Sequence, residues 1–403
     1  MAAATQLEPV RREARFSRFA PELDLLLACS HPGPGRESAL GAILLSPLAW
    51  DIVLRLANHH RLLPALHSAL RSRDDLPASI RSAIASRFES HQRRVLRFTA
   101  ELLRIVRQLE QHKVPVLAHK GVALGQFLYS DPAQRQFGDL DFLVRATDVS
   151  RARLALQELG YAPKIRLSTR QETEYLRTGY EHVFGLGHER NLVEIQWQIV
   201  PRFYAIDFDM DALFARSMEM GLEGLRLRTL SREDQMLVLC VHAAKHQWAQ
   251  LGMLRDIAML SRLPVDWEWI EGEARRLGIA KVVAISWQLA CSLFALDSAA
   301  FPGFQKEIRS ATRTAAAIER KIAAGVETNP ESAGYFHDFM HLRERFPDRW
   351  RMAWRLATTP SVGEWQSVQL PDSLFSLYRA VRFYRLAKRF CLPSSRQAAS
   401  PTE

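Results

Sequence analysis

The spacing of apolar residues changes twice along this chain of 403 residues. Up to about residue 112 they recur every three or four positions, as in HQRRVLRFTAELLRIVRQLEQHK, which predicts amphipathic helices. Between 113 and 203 they form short apolar runs such as VPVLAH and LDFLV, which are typical of buried strands. From 204 the helical spacing returns. We therefore predict an α+β protein, in which a small mixed sheet core is flanked by N-terminal and C-terminal helical regions.

The same changes predict four segments along the chain. These are an N-terminal helical region (1–112), an α+β core (113–203), a C-terminal helical domain (204–392) and a disordered tail (393–403). Within the core, the patterns predict a strand at 114–119, a second strand at LDFLV and a helix in ATDVSRARLALQELGY. Two further strands are predicted within 181–200, joined by a turn around Glu189 to Asn191.

The composition limits the class of protein and its partners. The formal net charge is +10, which favours anionic partners without choosing among nucleotides, nucleic acid and membrane surfaces. The four cysteines are far apart, so neither a disulfide framework nor a zinc site is predicted, as expected in a reducing cytosol. The longest apolar stretch contains Lys281 and Gln288 and is too short and polar to span a bilayer. We expect a soluble cytoplasmic protein.

Two aspartates stand at the start of a segment that otherwise has the pattern of a buried strand, GDLDFLV. Strand side chains alternate between faces, so Asp139 and Asp141 would share a face, about 6.5–7 Å apart along the strand. Two carboxylates this close repel each other unless a positive charge lies between them. A turn explains Asp139 well but Asp141 poorly, since FLV follows it directly. Glu194, in VEIQW, is a candidate third carboxylate on a later strand, and three carboxylates together could hold Mg²⁺.

Further motif residues accompany the three acids between residues 115 and 260. Together with them the set is Lys120, Gly121, Tyr129, Asp131, Pro132, Arg135, Asp139, Asp141, Glu194, Trp197, His242, Lys245, His246 and Asp256. This set resembles the motifs of a bacterial family of uncharacterised nucleotidyltransferases. That family belongs to the nucleotidyltransferase superfamily, whose fold is like that of DNA polymerase beta, and the weaker part of the resemblance extends over about residues 45–390.

The resemblance implies that a nucleoside monophosphate is transferred from an NTP, with ATP as the expected donor, to a hydroxyl or similar group. The acceptor would be a small molecule or a peptide, and pyrophosphate would leave. Asp139, Asp141 and Glu194 would be the catalytic residues and would hold two Mg²⁺ ions. The implied nucleotide-binding residues are Lys120, Gly121, Arg135, His242, Lys245 and His246. A protein partner from a biosynthetic gene cluster is also expected, whereas nucleic acid is not.

The residues before the acidic pair each allow two interpretations. Gly121 follows a strand and precedes a helix, where a missing side chain lets phosphate approach backbone N–H groups, but it could equally serve the turn alone. The wider superfamily usually has Gly-Ser or Gly-Gly there, whereas this chain has Gly121 and Val122. Lys120 could pair with a β or γ phosphate, or be a solvated lysine. Arg135 could bind a phosphate or Asp139, although the pattern alone favours a surface arginine.

His242 and His246 lie four residues apart on a predicted helix and would share a face. This spacing can bind zinc, but position 243 is Ala rather than the glutamate of the HExxH motif, and the sequence offers no third ligand. The pattern therefore favours histidines packed in the core or beside the nucleotide site, together with Lys245.

Two other functions are compatible with the sequence. The first is a catalytically inactive nucleotidyltransferase-like module that binds a nucleotide or a partner, an alternative supported by the atypical turn after Gly121. The second is a basic helical protein that binds nucleic acid. It would use a stripe of arginines at helical spacing near the C-terminus, opposite apolar residues, although a solvated helix face explains this stripe more simply. The arginines are Arg379, Arg382, Arg385 and Arg389.

Overall fold

The computed structural model describes residues 18–31, 33, 35–187, 192–296, 304–326 and 332–391. The predicted turn around Glu189 to Asn191 and the predicted tail (393–403) lie outside the described residues. Helices flank a small mixed sheet, so the predicted α+β class is confirmed.

Helices make up the regular structure before the sheet. They are α1 (Pro21–Ser30), α2 (Arg36–Leu44), α3 (Trp50–His59), α4 (Leu63–Leu70) and α5 (Ala78–Gln111). The long helix α5 buries one face, because its buried residues recur every three or four positions. Ile84 packs with the other N-terminal helices, whereas the buried apolar residues from Phe88 onwards belong to the cluster that surrounds the sheet. Helix α5 therefore connects the N-terminal helices with the sheet.

The central sheet has five strands in the order β1-β2-β5-β4-β3. The strands are β1 (Leu117–His119), β2 (Asp139–Leu143), β3 (Ala162–Pro163), β4 (Glu181–Gly185) and β5 (Leu192–Gln196). Strands β2 and β5 are parallel and the other pairs are antiparallel, and Asp141 lies opposite Glu194. Because paired residues in neighbouring strands face the same side, this register brings the two predicted acidic segments together.

Helices α6 (Gly121–Tyr129), α7 (Val149–Glu158) and α8 (Thr169–Thr178) connect the strands of this sheet. The sequence patterns predicted the first two but not α8. Helix α8 begins with a capping box, in which Ser168 accepts a hydrogen bond from the backbone N–H of Gln171 and the Gln171 side chain accepts one from the backbone of Ser168.

The region after the sheet begins with a structure that the sequence analysis did not predict. After α9 (Met210–Arg216), strands β6 (Met218–Leu222) and β7 (Leu225–Thr229) form an antiparallel hairpin. Glu223 and Gly224 connect them with φ of 46° and 76°, and a two-residue turn with both φ positive matches the twist of a hairpin. The prediction of helical structure from residue 204 onwards is therefore wrong for residues 218–229.

The regular structure of the rest of the described chain is helical, with short 3-10 turns and loops between the α-helices. They are α10 (Arg232–Lys245), α11 (Leu251–Leu260), α12 (Trp267–Leu277), α13 (Ala280–Phe294), α14 (Gln305–Ala323), α15 (Ala333–Leu342), α16 (Phe346–Thr358), α17 (Val362–Ser367) and α18 (Tyr378–Cys391). None of the described helices combines the length and the apolar character that crossing a lipid bilayer requires.

Two large hydrophobic clusters form the core. One surrounds the sheet and includes Phe142 and Ile195. The other contains residues from both ends of the chain, for example Leu26 of α1 and Ile285 of α13. The N-terminal and C-terminal helices therefore share buried apolar surface. The division into segments at residues 112 and 203 stays a prediction.

The C-terminal helix α18 uses part of its arginine stripe for packing. The Arg382 Nε donates a hydrogen bond to the backbone oxygen of Leu356 at 3.1 Å. Arg382 and Arg385 also form ion pairs with the buried Glu364, at 3.4 and 3.1 Å. Two of the four arginines therefore hold the helix in place. The apolar side is packed in part only, since Tyr378 is buried but Tyr384 is exposed.

Candidate active site

A cavity of about 370 Å³ lies between the sheet and helix α10. Its polar lining comes from β2, β4, β5 and α10, and from the segments that precede β2, β4, α4, α6 and α11. Eight of the nine predicted site residues line it: Lys120, Arg135, Asp139, Asp141, Glu194, His242, Lys245 and His246. Gly121, the ninth, begins α6 directly after Lys120. The fold thus gathers residues that are widely separated in the sequence.

The three predicted catalytic carboxylates lie on adjacent parallel strands. Asp141 of β2 is opposite Glu194 of β5, and Asp139 lies two residues before Asp141 on the same face of β2. The side-chain amide of Gln196 joins two of them, because its Nε2 donates to Asp141 Oδ1 at 3.0 Å and to Glu194 Oε2 at 2.8 Å. The strand register and this amide thus hold the Asp141 and Glu194 carboxylates beside each other.

Burial and mutual repulsion shift the proton affinities of these acids. Burial, followed by the charge of Asp141, raises the pKa of Glu194 to about 8. The same two causes raise the pKa of Asp139. Burial alone would also raise the pKa of Asp141, but Lys120 holds that pKa below its ordinary value. The cavity therefore keeps one firmly ionised carboxylate between two that resist ionisation.

Lys120 forms an ion pair with one of these three carboxylates, that of Asp141. Its Nζ lies 3.1 Å from Asp141 Oδ1, and its side chain is only 13% exposed. Burial opposes the charged form, but Asp141 and Glu194 outweigh it and raise the pKa of Lys120. The alternative of a solvated lysine at a strand end is therefore wrong.

The backbone at Lys120 and Gly121 explains why this turn needs a glycine. Both residues have positive φ, 57° and 42°. A Cβ on Gly121 would lie 3.1 Å from the backbone oxygen of Asp139. The glycine therefore allows the start of α6 to approach the first residue of the acidic strand.

Gly121→Ala is expected to destabilise the protein by about 1–2 kcal/mol, because an L side chain is unfavourable at positive φ and the new methyl group would contact Asp139. The free energy of unfolding in urea measures this effect. Gly221→Ala is the matched control, since a Cβ there meets no atom within 4 Å. Its expected change is within about 0.5 kcal/mol. Equal stability of the two variants would contradict the role of the turn.

The donor set of the cavity fits a divalent cation in its chemistry. Mg²⁺ prefers oxygen ligands, and the three carboxylates supply them from one face of the sheet. In the described part of the chain, no three His, Cys, Asp or Glu side chains are already gathered around one point as metal ligands. Lys120 and Gln196 donate hydrogen bonds to the carboxylate oxygens of this face, Lys120 to Asp141 and Gln196 to both Asp141 and Glu194. A cation could bind to these oxygens only after the side chains of Lys120 and Gln196 had moved away from them.

Arg135 is buried in an ion pair. Its Nε lies 2.8 Å from Asp256 Oδ2, and its side chain is 10% exposed, so the pattern-based expectation of a surface arginine is wrong. The hydroxyl of Tyr129 donates to the other oxygen of Asp256 at 2.8 Å. These three residues all belong to the family motif in the sequence, and they attach α11 to the segment before β2.

His242, Lys245 and His246 reach the cavity from the C-terminal end of α10. The two imidazole rings lie 4.7 Å apart between centroids. Burial, followed by the charge of Lys120, lowers the pKa of His242, and burial with Lys245 lowers the pKa of His246 to about 4. Both histidines are therefore neutral at pH 7. Lys245 donates to the Tyr180 hydroxyl at 3.3 Å and supplies the positive charge of this helix end.

A third buried histidine, His60, gives a pH dependence that can be measured. Burial, followed by the charge of His59, lowers the pKa of His60 from 6.5 to about 4. Between these values the unfolded chain binds the proton and the folded chain does not, so stability falls as the pH falls from 6.5 towards 4.

His60→Gln is expected to remove the contribution of His60, which amounts to at most about 1.4 kcal/mol per pH unit. The contributions of His242 and His246 are common to both proteins. Urea unfolding of both proteins at pH 7 and pH 5 should show the wild-type advantage shrinking at pH 5. A difference that stays the same at both pH values would contradict a neutral buried His60.

Comparison with known proteins assigns the family. A family model described as an uncharacterised nucleotidyltransferase matches residues 46–295. The chain belongs to this nucleotidyltransferase family. The match includes the whole sheet and every residue of the candidate site, so the resemblance found in the motifs is confirmed.

Other comparisons add little to the family assignment. The solution structure of the antibiotic-resistance factor ANT(2'')-Ia aligns at 13% identity with a TM-score of 0.30, over 56% of this chain and 96% of that chain. With a TM-score of this size, the assignment rests on the family model alone. The comparison with curated proteins found no match.

The candidate site of this member of the nucleotidyltransferase family also contains residues that no sequence pattern selected. Tyr180 and Glu181 reach the cavity from the start of β4, and Arg61 reaches it from the turn between α3 and α4. Glu181 could have been found, because it pairs with Gln196 in the sheet and shares its face. No pattern in the sequence indicated Arg61.

Proposed function

We propose that this member of the nucleotidyltransferase family is Mg²⁺-dependent and transfers a nucleoside monophosphate from an NTP to a hydroxyl group. ATP is the first donor to test, and the acceptor is proposed to be a small molecule or a peptide. The observation that supports the proposal is the placement of Asp139, Asp141 and Glu194 on adjacent parallel strands that face one cavity. Basic side chains surround this acidic face, as the binding of a triphosphate beside a metal requires.

In this proposal the acids have separate roles. Asp139 and Asp141 would hold Mg²⁺, and Glu194 would complete the ligand set or take the proton of the acceptor. Bound Mg²⁺ would supply Lewis acidity at the phosphate oxygens. Burial and the charge of Asp141 raise the pKa of Glu194 above its ordinary value, and the charge of Mg²⁺ would lower it again, so Glu194 would be ionised and able to take a proton when the metal is bound. The acceptor oxygen bonds to the α-phosphorus, the bond to the bridging oxygen breaks, and pyrophosphate leaves.

The basic residues would position the nucleotide. Lys120 lies within reach of the acidic face and could exchange its contact with Asp141 for a phosphate oxygen. Lys245 faces the same cavity from α10. Arg135 is already paired with Asp256, so its proposed contribution is to hold the segment before β2 in place rather than to bind phosphate by itself.

The direct test is transfer of label from each of the four α-³²P-labelled NTPs to pooled alcohols, peptides and a cell extract, with MgCl₂ or with EDTA. The expected result is a labelled product that forms only with Mg²⁺, together with released pyrophosphate. Binding of the NTPs is measured in parallel by calorimetry. Absence of both binding and transfer for every NTP would refute the proposal.

A second candidate function is supported by the contacts of Lys120 and Gln196 with the acidic oxygens. A cavity in which these side chains permanently neutralise the acids would bind a nucleotide or a partner without catalysis. Asp139→Ala combined with Asp141→Ala distinguishes the two functions. For the inactive module, nucleotide binding would survive both this double substitution and EDTA, and no transfer would be detected from the wild type.

A further inference from the structure

Arg61 lies in a turn that both of its neighbouring elements hold in position. The turn connects α3 and α4, and Arg61 itself has a φ of 58°. The backbone N–H of Leu62 donates a hydrogen bond to the backbone oxygen of Ala57 at 2.7 Å. The backbone N–H of Gly252 in α11 donates one to the backbone oxygen of His60 at 2.8 Å. The turn is thus fixed to its own helix on one side and to α11 on the other.

Gly252 makes this close contact possible. A Cβ at position 252 would lie 2.9 Å from the backbone oxygen of His60 and 3.1 Å from the Arg61 Cβ. A residue other than glycine would therefore push the turn away from α11. The contact fixes where the Arg61 side chain begins relative to the cavity.

The backbone conformation of Arg61 is unfavourable for an arginine. Residues with a Cβ rarely adopt positive φ, and glycine or asparagine would fit with less strain. The bonds from the Leu62 N–H to the Ala57 oxygen and from the Arg61 N–H to the Asn58 oxygen are those of a helix C-cap, so Arg61 ends α3 in the left-handed conformation. This conformation places the side chain in the wall of the cavity, beside Arg135 and the acidic strand.

The guanidinium of Arg61 makes no hydrogen bond or ion pair with any residue in the described ranges. The other cations of the cavity do have partners, since Lys120 contacts Asp141, Arg135 contacts Asp256 and Lys245 contacts Tyr180. Burial, followed by the charge of Arg135, lowers the pKa of Arg61, and the charge of Asp139 opposes this. A partly buried guanidinium without a partner has its full donor capacity available to a ligand.

The geometry points to Arg61 as a phosphate-binding residue that the N-terminal helices contribute to the active site. A guanidinium matches the oxygens of a phosphate group with two parallel N–H donors, which a lysine cannot do. The ligand would be the phosphate chain of the nucleotide, so this inference rests on the proposed function. The active site would then be complete only when the N-terminal helices, the sheet and α10 with α11 are packed together.

The test measures binding of ATP, inorganic tripolyphosphate and adenosine to the full chain by calorimetry, in the presence of MgCl₂. Arg61→Ala is expected to weaken the binding of ATP and of tripolyphosphate by about 10- to 100-fold, which is the effect of losing a hydrogen bond to a charged group. Adenosine should bind as before, and Arg61→Lys should restore part of the affinity. Arg55→Ala is the matched control, because Arg55 lies in α3 and is 69% exposed. It should leave all three affinities unchanged.

Arg61→Gly separates binding from folding. Glycine accepts the positive φ without strain, so this variant should melt at the wild-type temperature or above it while losing phosphate affinity to the same extent. A lower melting temperature with unchanged affinity would assign Arg61 a structural role and overturn the inference.

The remaining outcomes separate the inference from the proposed function. If the wild type binds ATP and Arg61→Ala binds it equally well, the inference fails and the proposed function stands. If the wild type binds neither ATP nor tripolyphosphate, both fail. An equal loss of adenosine and ATP affinity in Arg61→Ala would also overturn the assignment of Arg61 to phosphate.

Discussion

Asp141→Asn is expected to lower nucleotidyl transfer by about 100- to 1000-fold, because the site would lose a charged ligand for the Mg²⁺ that is proposed to stabilise the reacting phosphate. Asparagine keeps the shape of the side chain but removes the ionised carboxylate that Lys120 contacts and that lies opposite Glu194. Label transfer from an α-³²P-labelled NTP measures the effect. Circular dichroism and thermal unfolding should show that the folded structure persists, because Lys120 can turn towards Glu194 or Asp139 in the same cavity.

Asp148→Asn is the matched control for this substitution. Asp148 is also buried and also contacts a basic side chain, that of Arg151, but it does not line the cavity. The control should transfer label at the wild-type rate. Activity that falls equally in both variants would mean that removing any buried carboxylate impairs the protein, and the assignment of Asp141 would lose its support.

Asp256→Ala is expected to lower the free energy of unfolding by about 3–5 kcal/mol, the usual effect of removing one partner of a buried ion pair. The substitution leaves the guanidinium of Arg135 without its carboxylate, and it also removes the acceptor of the Tyr129 hydroxyl. Urea unfolding of the full chain measures the loss. Because Arg135 lies just before the acidic strand, transfer activity should fall as well.

A surface ion pair of the same length provides the comparison. Arg55 and Asp51 are also 2.8 Å apart, but their side chains are 69% and 71% exposed. Water already solvates both charges, so Asp51→Ala should cost at most about 1 kcal/mol. If the two substitutions had similar costs, burial would not be the cause of the effect at Asp256.

The sequence was sufficient to predict those features that depend on local patterns. Alternation along GDLDFLV placed Asp139 and Asp141 on one face, and the change from helical to strand spacing located the sheet. The family motifs then selected eight residues that line one cavity. Both the strand pattern and the resemblance selected Glu194 as the third carboxylate, but its pairing with Asp141 was not predicted, because alternation fixes the face of a strand but not its neighbour.

Features that depend on distant contacts could not be predicted. The partner of Arg135 is 121 residues further along the chain, so the pattern around Arg135 alone suggested a surface residue. Arg61 owes its position to Gly252, which is even more remote in sequence. The hairpin at 218–229 is a different case, because MEMGL and LRLRT alternate apolar and polar residues as strands do. This local signal was missed, and the turn is Glu223-Gly224 rather than the more familiar Asn-Gly.

The hydrophobic cluster that joins α1 with α13 restricts which fragments of this protein can fold on their own. A fragment that begins at the sheet would leave buried leucines and isoleucines of the C-terminal helices in water, and such surfaces promote aggregation. Screens for a substrate, and attempts to transfer this sheet to another scaffold, should therefore retain both the N-terminal and the C-terminal helices.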